Sequence, residues 1–287
     1  MNISDSDLFK DYARPVLNPD PRPGGVRCPP FGIMDTVMQH LLGLAKLQVS
    51  RIKISNATQD SFCLTIESRL SGTGPVSSTI NATNVNLFFN GSSLGRMELP
   101  QIRAGFWGTK VLVKEQRIDI ADIVNYRAFI RSLMVHEDTS LQLDDSQCTV
   151  KALGTSSICE MRLDMPIKGM GGPRISLEKL SRSGDNGIVA TFSINNTSPV
   201  EIDHDRCLFE LRNTQGDTMA ELRGELNIVQ GQANYTLHGT TRDGVAPSDK
   251  ARLVGVGVEG SSWCGETIKE LDAVFVLRPE FAELLRR

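Results

Sequence analysis

Along most of this chain, apolar and polar residues alternate at a period of two. Phe62, Leu64 and Ile66 are interleaved with Cys63, Thr65 and Glu67, and Val85, Leu87 and Phe89 with Asn84, Asn86 and Phe88. The same spacing continues at Val111/Val113, Ile118/Ile120, Leu141/Leu143, Val150/Ala152 and Met161–Ile167. It returns in runs centred on 188–194, 208–211, 220–228, 235–237, 253–258 and 273–277. Such runs, bounded by Gly, Pro, Asn and Ser clusters, predict short half-buried strands. Ala273–Leu277 is apolar on both faces, which predicts a central strand.

Helical spacing is confined to three places. Ile33, Met34, Val37, Met38, Leu41 and Leu42 recur every three or four residues. Ile123, Tyr126, Ile130, Leu133 and Met134 share one face of a helix predicted from about Asp119 to Val135, capped by Asp119 or Asp122. Pro279 opens a short terminal helix, where its missing N–H does no harm. The expected class is therefore all-β with minor helices.

The chain also repeats itself. Thr73-Gly74-Pro75-Val76 answers Thr197-Ser198-Pro199-Val200, and each follows one alternating strand and precedes another. A repeat of this length is the size of one sandwich rather than of a solenoid unit. Two tandem antiparallel immunoglobulin-like β-sandwiches are expected, over 31–145 and 146–287, after a proline-rich lead-in over 1–30.

With 287 residues and 40% apolar content there is material for two ordinary cores. The net charge of −3, with no basic cluster, argues against nucleic acid as a partner. No stretch approaches the length of a membrane span, and Met1–Asp5 does not open a signal peptide, which points to the cytoplasm. The Asn-X-Ser/Thr sequons point elsewhere. They occur at Asn2, Asn56, Asn81, Asn90, Asn195, Asn196 and Asn234, where chance supplies roughly two. They favour the secretory pathway or the cell exterior, with the signal or anchor absent from this sequence. The six cysteines agree, with Cys207–Cys264, Cys148–Cys159 and Cys28–Cys63 as candidate bridges and buried thiols as the alternative.

No GxSxG elbow, HExxH, P-loop or dinucleotide fingerprint is present. Asp203-His204-Asp205 suits a polar turn better than a metal clip, because neighbours on a strand point to opposite faces. Gly169-Met170-Gly171-Gly172 reads as a flexible interdomain loop. Two loops are unusually aromatic: Arg103-Ala104-Gly105-Phe106-Trp107-Gly108 and Ser261-Ser262-Trp263-Cys264-Gly265.

Ile52–Ser68, Thr73–Ser77 and Asn86-Leu87-Phe88-Phe89-Asn90-Gly91-Ser92-Ser93-Leu94-Gly95 resemble a large fungal family of unknown function. That family carries tandem sandwiches like the late-embryogenesis-abundant type 2, or water-stress (WHy), domain. Asn195–Val200 resembles its strand-end turn. A freestanding chain of this type also resembles the fungal intermolecular hetero-Diels–Alderases of tropolone sesquiterpenoid biosynthesis. The resemblance implies a cofactor-free pericyclase joining a tropolone o-quinone methide to a humulene-type sesquiterpene, with small apolar or aromatic substrates as partners. Such a catalyst positions two reactants and donates a hydrogen bond to the oxygen gathering charge. A cleft between the sandwiches would place Tyr126, His136 or Arg103 as donor and Phe106, Trp107, Trp263 and Met170 as walls. The plainer roles are domain packing for the tryptophans, core for Tyr126, a helix C-terminal cation for His136 and a solvated surface for Arg103. The alternative function is a non-catalytic secreted or cell-surface module that binds lipid or a protein. Oligomeric state is left open.

Overall fold

The computed structural model describes residues 26–27, 46–72, 77–105, 107–172 and 174–286. Most of the 1–30 lead-in, the helix expected over 33–42, the Thr73–Val76 turn, Asn2, Cys28 and Phe106 lie outside the described residues.

The first half holds β1 (Val26–Arg27), β2 (Lys46–Ser55), β3 (Ser61–Ser71), β4 (Ser78–Ile80) and β5 (Thr83–Phe89). It continues with β6 (Ser92–Leu99), β7 (Ile102–Ala104), β8 (Thr109–Asp119) and α1 (Ile123–Val135), then the hairpin of β9 (Asp138–Ala152) and β10 (Thr155–Lys168). The second half holds β11 (Arg174–Ser183), β12 (Gly187–Asn196), β13 (Val200–Arg212), β14 (Thr218–Ile228) and β15 (Gly231–Thr241). After β16 (Lys250–Val258) come α2 (Cys264–Thr267), β17 (Asp272–Val276) and α3 (Pro279–Leu285). The chain is all-β with minor helices.

One sheet runs β1-β10-β9-β4-β7, with β5 on the other end of β9 and β6 beside β5. It packs face to face on β2, β3 and β8. Ile80, Met97, Leu143 and Met165 from one layer meet Ile66, Leu70, Val111 and Val113 from the other, leaving a gap of only about 30 Å³. The alternating pattern of these strands has this cause: one face of each is buried and the other is wet.

The division expected at 145/146 falls inside β9. That strand pairs with β5 at Gln142–Asp144 and with β4 at Val150–Ala152, so residues 138–168 belong to the first sandwich. The chain changes sandwich only after Lys168. Residues 169–172, expected to be a flexible linker, instead close the end of α1. Met170 N–H donates to Leu133 O, Gly171 N–H to His136 O and Gly172 N–H to Met134 O, at 2.8–3.0 Å. These are carbonyls a helix end otherwise leaves bare. A methyl group at Gly169 would lie 2.1 Å from the His136 oxygen, so only glycine fits. At its other end α1 is capped as expected, Asp122 Oδ1 accepting the Val124 and Asn125 N–H groups.

The second sandwich is built from β11-β12-β15-β14-β13, with β16 on β13 and β17 on β16. Phe192 on β12 packs edge-on against Phe275 on β17, 5.7 Å between ring centres, which binds the layers together. β17 is not the central strand expected. It bonds to β16 alone among the described residues, and Val274 and Val276 are 60% and 70% exposed.

The two sandwiches share one sheet. Val200–Ile202 of β13 pairs in parallel with Ile52–Ile54 of β2. From Cys207 onward β13 pairs with β16 instead, and a bulge at Asp203–Arg206 makes the change. Asp205, in the left-handed region at φ 56°, is part of that bulge. Buried side chains of both halves form one continuous core.

Candidate functional site

The expected cleft between the sandwiches is filled. Trp263, 1% exposed, leaves the second half and inserts into the first. Its ring meets Tyr126 edge-on at 5.0 Å, and Tyr126 stacks on Phe62 at 4.6 Å. Trp263 Nε1–H donates to Ser61 O at 3.2 Å and its backbone N–H to Thr58 O at 3.0 Å. Tyr126 is fully buried, its hydroxyl has no partner among the described residues, and burial pushes its pKa well up. It is a core residue that no substrate reaches. Met170 is likewise buried rather than lining a pocket. His136 is exposed at the end of α1, with Nδ1 3.2 Å from Ser132 Oγ.

Arg103 and Trp107 are elsewhere altogether. They sit on β7 and in the loop before β8, whose eleven residues carry the chain roughly 30 Å to the Tyr126 end. The structure therefore does not bring Arg103 and Trp107 together with Tyr126, His136 and Trp263. Phe106 lies outside the described residues.

The proposed bridges are corrected too. Cys63, Cys148, Cys207 and Cys264 are free thiols. Cys159 lies across the ladder from Cys148, but Cys148 is free and the disulfide that Cys159 makes is not with it. Burial pushes the Cys264 thiol up to about 12 and Cys207 higher still, so neither is a ready nucleophile. His204, expected in a polar turn, is fully buried, because the bulge turns it inward. Neither ring nitrogen has a partner among the described residues, and burial lowers its pKa to about 4. Among the described residues no three His, Cys, Asp or Glu groups converge on a metal position.

The sequons separate by burial. Asn56, Asn90, Asn195 and Asn234 are exposed and Asn81 is half-buried. Asn196 is buried; its amide donates to Val200 O at 2.8 Å and its Oδ1 accepts the Ser198 N–H at 2.9 Å. A side chain so enclosed has no room for a glycan.

Open space large enough for a small molecule lies on the outer face of the second sandwich. β14 and β15 are hydrogen-bonded only where Ala220–Arg223 faces His238–Thr241. Beyond that point β14 continues with β13 and β15 with β12, so the hairpin opens into a fork. Gly224 and Gly239 allow the close crossing at its root. A methyl at Gly224 would lie 2.7 Å from Leu237 Cδ2, and one at Gly239 1.8 Å from Glu221 O. The Tyr235 hydroxyl bridges the fork, donating to Asn227 O and accepting the Val229 N–H.

Two adjoining hollows of about 630 and 700 Å³ meet there, sharing Arg223 and His238. Val189, Leu208 and Val256 give one of them an apolar side. Arg206, Glu225, Asn227 and Thr236 line the other. Arg206 is held by Glu259 at 3.4 Å. The side chains of Arg223 and His238 make no hydrogen bond or ion pair with any described residue and are exposed to the hollow. Asn227 Oδ1 is buried with no donor among the described residues. The arrangement offers an apolar wall beside two unengaged donors. Sequence reasoning missed it because outward strand positions look like ordinary solvated surface; the interior glycines are the one signal.

No family model matches this chain. No curated protein matches it. Among solved structures, red sea bream transglutaminase is 13% identical with a TM-score of 0.27, matching 87% of this chain and 34% of its own. The exo-chitosanase CsxA of Amycolatopsis orientalis is 10% identical with a TM-score of 0.26, matching 79% of this chain and 26% of its own. An adhesin of Mobiluncus mulieris is 10% identical with a TM-score of 0.21, matching 74% of this chain and 80% of its own. The chain thus spans about a third or less of the first two. Likenesses this slight carry no argument about function.

Proposed function

We propose that this chain is a binding protein for small, partly apolar molecules bearing an acceptor oxygen, held on the outer face of the second sandwich. The observation that carries the reading is the pairing of Arg223 and His238, both unengaged among the described residues, with the apolar side formed by Val189, Leu208 and Val256. Oriented donors beside an apolar wall are the usual composition of a small-molecule site. A second reading uses the same place. An apolar wall and a hydrogen-bond donor are also what a hetero-Diels–Alder catalyst needs, and the family resemblance supplies the reactants. In that case the site moves from the seam to the fork, with Arg223 or His238 polarising the tropolone oxygen.

Calorimetric titration with a hydroxymethyl tropolone tests binding. We expect saturable heat, and a loss of about tenfold in affinity in Arg223→Ala and His238→Ala. No heat, or unchanged affinity in both variants, overturns the reading. Incubating the protein with hydroxymethyl tropolone and humulenol separates the two functions. An adduct stereochemistry that differs from buffer establishes catalysis, whereas binding with a buffer-like product ratio leaves a binding protein alone.

A further inference from the structure

The Arg103–Gly108 loop, excluded from any site at the seam, stands at the free end of the first sandwich. There the β7–β8 loop, the β9–β10 turn and the described ends of β2, β3 and β4 come together. Ser78 pairs with both Ala104 and Ala152, so the two tips rise from the strands on either side of β4. Each tip presents a large apolar side chain to solvent: Trp107 is 82% exposed and Leu153 is 57% exposed. The Trp107 tip is tied down. Gly108 N–H donates to Gly105 O, Thr109 Oγ1–H to Arg103 O, and Arg69 Nη2–H to Trp107 O at 2.6 Å. A methyl at Gly108 would lie 2.7 Å from Leu70 O, which pins this turn against β3.

Around these tips the charge has one sign. Arg103 and Lys151 both pair with Thr79, one on each side, and therefore project from the same face. Arg69 pairs with Lys110 on the opposite layer, and Lys46 pairs with Ser71 next to it. All five cations are exposed. The described residues within 46–48, 69–72, 77–80, 102–112 and 150–157 contain no Asp or Glu. On a chain of net charge −3, an end with five cations and no acid is a local reversal of sign. A hollow of about 470 Å³ lined by Ser77, Lys151, Thr155 and Ser156 lies beside Leu153 and is the size of a polar headgroup.

We infer that this end of the first sandwich docks on an anionic lipid surface, with Trp107 and Leu153 entering the headgroup region inside a collar of Lys46, Arg69, Arg103, Lys110 and Lys151. Tryptophan favours that depth because its ring is apolar and its N–H is polar. The collar supplies long-range attraction, worth about fivefold in affinity for each cation near the surface. Charge complementarity selects this occupant over a second copy of the chain, whose matching end would repel. The contact is peripheral, and no helix among the described residues is long and apolar enough to span a bilayer.

Co-sedimentation with phosphatidylcholine vesicles, with and without phosphatidylserine, tests it. We expect binding only with phosphatidylserine, weakened by salt, together with a blue shift of tryptophan emission. Trp107→Phe should abolish the shift, because the other tryptophan, Trp263, is already buried. Trp107→Ala combined with Leu153→Asn should cost about tenfold or more in partitioning. Asn suits the left-handed backbone at Leu153, where φ is 50°, so the fold survives. Arg103→Ala with Lys151→Ala should cost about 25-fold. Arg223→Ala should change nothing here, which keeps this inference separate from the fork. Equal binding to both vesicle types, no binding at low salt, or undiminished binding by these variants overturns it. So does self-association in sedimentation velocity that the tip variants remove while vesicles remain unbound.

Discussion

Trp263 and His204 show how single side chains hold the seam. Trp263 fills space between Tyr126 and the Thr58–Ser61 turn and adds a second donor to the Ser61 carbonyl, which also accepts the Thr58 N–H. Trp263→Ala is expected to cost about 3–5 kcal/mol, read from the urea midpoint, because it leaves a void the size of an indole in the core. His204 gives a dependence on pH. Its folded pKa of about 4 lies below the ordinary 6.5, so the unfolded chain binds the extra proton between those values. Stability is then full above pH 6.5 and falls as pH drops to 4, by about 3 kcal/mol in all. His204→Leu should flatten that interval in urea titrations repeated across pH; an unchanged slope would assign the acid sensitivity to another group. The inward turn of His204 was hidden in the sequence. Two flanking aspartates give it the look of surface, and only the bulge, which depends on two different partner strands, rotates it into the core. Tyr126 is the opposite case, legible from its place on the apolar face of α1.

At the scale of elements, strands were legible wherever one face is buried, because that burial writes the alternation. Two features escaped for want of it. Asp144-Asp145-Ser146-Gln147 has the composition of a linker yet lies within β9, which bonds to neighbours on both sides. β17 is apolar on both faces yet is an edge, so its outer valines say nothing about burial. The fork likewise could not be seen, since it arises from where pairing stops. Its integrity rests on the Tyr235 hydroxyl. Tyr235→Phe removes both bridging bonds and should cost about 1–2 kcal/mol in thermal or urea unfolding. It should also alter tropolone affinity if the fork is the site. For α1, Gly169→Ala forces a methyl against the His136 oxygen, and either the cap or the helix end must move. A stability loss larger than the about 1 kcal/mol expected for Asp122→Ala, which removes only the N-terminal cap, is the anticipated result.

At the scale of the molecule, two sandwiches need not mean two folding units. Independent domains meet through small polar interfaces and unfold separately. Here three residues of β13 continue a sheet begun by β2, Arg51 on β2 reaches Glu201 at 2.7 Å, and Trp263 stands in the other half's core. Cutting the chain between 168 and 174 would expose that indole, leave Val200–Ile202 as a bare apolar edge, and strip one partner from a mostly buried carboxylate. Each of these raises the free energy of the isolated halves without touching the intact chain. The intact protein should therefore lose its far-UV circular dichroism and its Trp263 emission, measured in the Trp107→Phe variant, at the same urea concentration. The fragment beginning at Arg174 should be far less stable alone and recover on mixing with its complement. Two resolved transitions, with Trp263 released in the first, would show instead that the seam is a contact between domains that fold by themselves.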